Sequence, residues 1–100
     1  MQNWEAPVQQ EARAAPGGWF NCDVMQAGPI ENGQIWILLR VDRPPEQGGG
    51  QFYQWYQAIS IVQKEILAVA LTAMTTGFRV AAALTTTDEG GPIERLYITR

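Results

Sequence analysis

Three aromatic side chains, Trp36, Tyr53 and Trp55, are the residues of this chain best suited to holding a ligand. Each offers a flat apolar face with a polar rim, the shape that stacks on a sugar ring or a nucleobase. Tyr53 and Trp55 stand two apart, so they share one face of an extended strand. Core and interface packing draws on the same residue types, because aromatics are enriched where subunits meet. Packing is the weightier expectation for all three.

Other chemistry finds little to work with. Cys22 is the single cysteine, which rules out an intrachain disulfide. A cysteine nucleophile needs an activating base, and a chain without histidine lacks the usual one. Cys22 therefore reads as a small, half-buried strand residue. The missing histidine also removes the neutral-pH proton shuttle and the commonest metal ligand, so neither metal nor cofactor is expected. A glycosidase pair needs two carboxylates across a cleft, one with a raised pKa. Asp88 and Glu89 read instead as a solvated turn, and Asp42 with Arg43 as a surface ion pair. The run Gly48-Gly49-Gly50 resembles a phosphate loop, but a phosphate cradle leads straight into a helix and here a strand pattern follows. No catalytic residue is expected, and the chain reads as a non-enzyme.

Composition points the same way. The chain has 100 residues, one domain's worth. A chain of that size buries only about 60–65% of its unfolded surface, so association would help it. Charged residues make up 17%, well under the roughly 25% of ordinary globular chains. Net charge is −3 with no basic stripe, which argues against a nucleic-acid partner.

The positioning elements follow from periodicity. Alternation predicts strands over residues 19–27, 34–42, 51–57, 78–86 and 93–99. In the second, Ile35, Ile37, Leu39 and Val41 form one face, while Trp36, Leu38 and Arg40 form the other. Asn32-Gly33 predicts a hairpin between the first two strands. The fifth is expected to alternate Glu94, Leu96 and Ile98 against Ile93, Arg95 and Tyr97. Residues 59–76 predict a helix, with Ser60 and Gln63 as a capping box and Gly77 as its left-handed stop. On a helical wheel Val62, Ile66, Val69, Ala70 and Ala73 make one apolar stripe, and Leu67, Leu71 and Met74 make a second. Together they cover roughly 200° of the circumference, against the ≳100° that seats a helix on one core. Leu67, Leu71 and Met74 are accordingly the expected oligomer interface. Residues 1–18 form an N-terminal arm, in which Trp4, Val8 and Ala12 share a helical spacing, and residues 19–100 form one domain.

The expected class is mainly β with one long helix (α+β), in the order β-β-β-α-β-β. That is the order of the five-stranded oligonucleotide/oligosaccharide-binding barrel. The long helix followed at once by a terminal hairpin also resembles the B subunits of cholera-toxin-type bacterial toxins. The resemblance implies a ring of five copies, with long helices lining a central pore and edge strands pairing between neighbours. The expected function is thus a self-associating, non-enzymatic barrel that presents loops to a protein partner or glycan. The alternative is a carbohydrate- or single-strand-binding module built on Trp36, Tyr53 and Trp55. The first residues lack a basic and then apolar leader, so a cytoplasmic location is the default, or a secreted one if the chain is a trimmed mature form. No membrane span is expected, since Gln63, Lys64 and Glu65 interrupt the longest apolar stretch.

Overall fold

The computed structural model describes residues 17–99. The expected N-terminal arm therefore lies, apart from its last two glycines, outside the described residues. Five strands and one helix follow one another: β1 Gly18–Pro29, β2 Ile35–Asp42, β3 Gln51–Ala58, α1 Gln63–Thr76, β4 Arg79–Leu84 and β5 Pro92–Thr99. Among the described residues the protein is mainly β with one α-helix and a five-stranded sheet, as its periodicity predicts.

The strands close into a barrel in the order β1-β2-β3-β5-β4. All neighbours are antiparallel except β3 and β5, which meet in parallel over Gln57↔Pro92 and Ala58↔Ile93 alone. β1 serves two partners. Gly18 to Cys22 pair with β4, whereas Cys22 to Pro29 pair with β2, and a bulge between Val24 and Gln26 interrupts the second ladder. A bulge bends and twists the strand that carries it, which helps a short sheet to curl shut.

Inward residues obey the period of two. Ile35, Ile37, Leu39 and Val41 are buried on β2, Val80, Ala82 and Leu84 on β4, Tyr56 and Ala58 on β3, and Phe20 and Cys22 on β1. Burying each large aliphatic side chain contributes about 1.5–3 kcal/mol. The fifth strand departs from strict alternation. Leu84 pairs with Ile93 but Ala83 pairs with Arg95, leaving Glu94 as an extra residue. Past that bulge the parity changes, so Ile93 and Leu96 are both buried while Glu94, Arg95 and Tyr97 are exposed.

The helix packs chiefly against β1 and β5. Its buried residues are Ile66, Ala70 and Ala73; the two alanines have no bulk to hold it off the sheet. Its start differs from the expected capping box. Ser60–Val62 form a 3-10 turn, no side chain caps it, and α1 begins at Gln63. Its end matches the expectation: Gly77 takes φ 79° and its N–H bonds the carbonyl of Ala73. A second glycine is needed for space. A Cβ on Gly17 would stand 2.2 Å from the Thr85 carbonyl oxygen. No helix among the described residues is long and apolar enough to cross a bilayer.

Candidate functional site

The outer face of β2 and β3 gathers the three aromatics. Register sets Trp36 opposite Gln57, Leu38 opposite Trp55 and Arg40 opposite Tyr53. Trp36 and Trp55 are thus diagonal neighbours across Leu38, and Tyr53 continues the row toward Arg40. Tyr53 is 58% exposed, while Trp36 and Trp55 are half-buried. The turn between β4 and β5 accounts for part of that cover. Gly90 donates its N–H to the Trp55 carbonyl (2.7 Å), and a Cβ on Gly90 would lie 3.4 Å from the Trp36 ring. The Trp36 indole N–H donates to Gln34 Oε1 at 3.3 Å.

Beside this row lies an ionic ladder that runs across β4, β1 and β2. Arg79 donates to Asp23 Oδ1 (2.9 Å) and in bidentate fashion to Asp42 (2.7 and 2.9 Å). Arg40 donates to the other oxygen of Asp23, and Gln51 donates to Asp42. The Arg79 hydrogen bond, aided by Gln51, holds the Asp42 carboxyl down at about 2. Burial pushes Asp23 up, but the guanidinium groups of Arg40 and Arg79 outweigh it and leave its pKa lowered. Carboxylates held ionised in this way suit a surface clamp, whereas a general acid needs a raised pKa. Asp42 therefore does not pair with its neighbour Arg43, contrary to expectation. Successive strand residues point to opposite faces. Arg43 instead sits over the Phe52 ring at 4.5 Å.

Cys22 is fully buried rather than half-buried. Burial pushes its thiol up to about 12 against the lowering pull of Arg79, so the thiolate is scarce at neutral pH. Gly48, Gly49 and Gly50 all take positive φ and feed directly into β3.

The second helix stripe divides. Leu67 is partly buried and packs against the barrel core. Leu71 and Met74 remain 48% and 42% exposed. Phe78 and Ile61 are exposed at the two ends of the helix, Phe78 lying just outside β4 rather than within it. One surface escaped sequence reasoning altogether. Trp19 on β1 and Tyr97 on β5 stack at 5.7 Å. They flank β4, whose Ala83 and Ala81 are their respective partners in register. The small outward residues of β4 were the available signal.

No protein-family model, curated protein or solved structure matches the chain.

Proposed function

We propose that this chain is a self-associating, non-enzymatic barrel whose copies pack through the Leu67, Leu71 and Met74 side of α1. The observation that carries the reading is the exposure of Leu71 and Met74, which flank the stripe of the helix already seated on its own sheet. A neighbour's matching helix would remove both side chains from water, worth about 25 cal/mol per Å2 of apolar surface. The strand order and the position of the helix support an oligonucleotide/oligosaccharide-binding type of barrel. By its likeness to the toxin B subunits, the assembly would be a closed ring of about five copies, each contributing one helix to the central wall. The ring would present loops to a protein partner or a glycan.

Sedimentation equilibrium over a concentration series tests this. The expected result is a mass several times that of the chain, falling to the single-chain mass in the double variant Leu71→Lys, Met74→Lys. A wild-type protein that sediments as a single chain at micromolar concentration would remove the proposal.

A second reading rests on the aromatic row. Trp36, Trp55 and the exposed Tyr53 share one outward face, with the Arg40 guanidinium beside the Tyr53 side chain. Stacking surface next to a hydrogen-bond donor suits a glycan better than a nucleic acid, given the net charge of −3. Tryptophan fluorescence titrated with a glycan panel and with single-stranded DNA separates these ligands. A blank on both dismisses the reading.

A further inference from the structure

We propose that the cavity between the start of β2, the end of β3 and the start of α1 holds the acetamido group of an N-acetylated sugar. The proposal rests on the second reading above, in which the aromatic row takes a glycan, and names the kind of glycan. The cavity measures about 270 Å3. Pockets for whole drug-sized ligands run to about 300–1,000 Å3, so this one suits a single small group.

Two glutamines line it with their carboxamides already oriented. Gln34, just ahead of β2, accepts the Trp36 indole N–H on Oε1 at 3.3 Å. An indole nitrogen only donates, so this bond fixes which way round the carboxamide sits and turns its NH2 away from the ring. Gln57, near the end of β3, donates from Nε2 to the Gly90 carbonyl at 3.2 Å. A carbonyl only accepts, so here the side-chain oxygen is the atom turned away. The cavity therefore carries a donor on its β2 side and an acceptor on its β3 side.

The rest of the lining fits the same group. Pro92, Ile59 and Ala58 supply apolar surface. Ser60 and Gln63, whose spacing predicts a capping box, make no cap hydrogen bond and line this cavity instead. None of these described residues is charged, which selects a neutral ligand over an ion. A trans secondary amide presents its carbonyl and its N–H on opposite sides. In an acetamido group the carbonyl would accept from Gln34, the N–H would donate to Gln57, and the methyl would lie against Pro92 and Ile59. A plain hydroxyl offers one oxygen where the cavity offers a donor, an acceptor and an apolar wall. Register brings the sugar ring with it. Gln57 stands opposite Trp36, so a group seated between the glutamines leaves its pyranose beside the indole, a surface suited to stacking.

The test titrates the full-length protein with N-acetylglucosamine, N-acetylgalactosamine, glucose and galactose, read by 15N NMR. The acetamido sugars should bind about tenfold more tightly than the plain hexoses, the scale of one to two net hydrogen bonds. They should shift the side-chain NH2 signals of Gln34 together with the Trp36 indole N–H. Gln34→Glu keeps an oxygen for the indole N–H but turns the cavity's donor into an acceptor. Gln34 is exposed, so the substitution leaves the core intact. It should erase the preference for acetamido sugars with the Trp36 indole signal still in place. The comparison of sugars on the unaltered protein tests the proposal without any variant. Equal binding of acetamido sugars and plain hexoses overturns it and leaves the aromatic-row reading standing, whereas a blank with every sugar overturns both. A preference that survives Gln34→Glu also overturns it, because its source would then lie outside this cavity.

Discussion

Arg79 shows how much a single side chain can organise here. It begins β4 and reaches two carboxylates on two other strands, Asp23 on β1 and Asp42 on β2. Nothing in the linear spacing of these residues announces the contact, because barrel closure brings them together. Both carboxyls titrate below their ordinary value in the folded protein, Asp42 at about 2. A depressed carboxyl stabilises the fold above its unfolded pKa of about 3.9 and loses that contribution as pH falls toward the folded value. Stability should therefore decline between about pH 4 and pH 2. Since these side chains are partly exposed, solvent screening limits the effect to about 1 kcal/mol. Arg79→Met should cost about that much at pH 7 and flatten the acid decline. Urea melts of both proteins across this pH range measure it. An equally steep acid decline in the variant would show that the ladder adds nothing.

At the level of elements, glycines separate two kinds of constraint. Gly77 ends α1 with φ 79°, yet a Cβ there would touch nothing within 4 Å. Gly77→Ala should thus cost only conformational strain, about 1 kcal/mol. Gly17→Ala would drive a methyl into the Thr85 carbonyl and force β1 away from the end of β4. Overpacking of that kind costs about 1–3 kcal/mol. Thermal melts should rank Gly17→Ala as the more damaging, and the reverse order would contradict the close approach. Gly77 was legible in the sequence because it follows a helical run directly, and the β2 face was legible because Ile35, Ile37, Leu39 and Val41 alternate without a break. The alternation of β5 was misjudged at Glu94, since a bulge is fixed by the partner strand rather than by local pattern. Asp42–Arg43 failed for a similar reason: adjacency in sequence places strand neighbours on opposite faces. The aromatic row was foreseen as residues, but its cover by the turn at Gly90 depends on barrel closure.

The molecule as a whole is a ring with one thin join. β2 is paired along its length on both sides, whereas β3 and β5 meet over two residue pairs. A few bonds reinforce the join: Gln57 N–H to Gly91 O, Ile59 N–H to Ile93 O, and Gly90 N–H to Trp55 O. Opening it exposes little apolar surface compared with removing β2, which carries Ile37, Leu39 and Val41 at the centre of the core. Local opening follows such differences, from low-energy fluctuations up to global unfolding. The amides of Gln57, Ile59 and Gly90 should consequently exchange much faster than those of Ile37, Leu39 and Val41, with rates that depend weakly on denaturant. Native-state hydrogen exchange at increasing urea reads both sets at once. Should the join and β2 exchange at the same rate with the same urea dependence, the barrel opens only by unfolding completely, and the β3–β5 contact is as strong as any other.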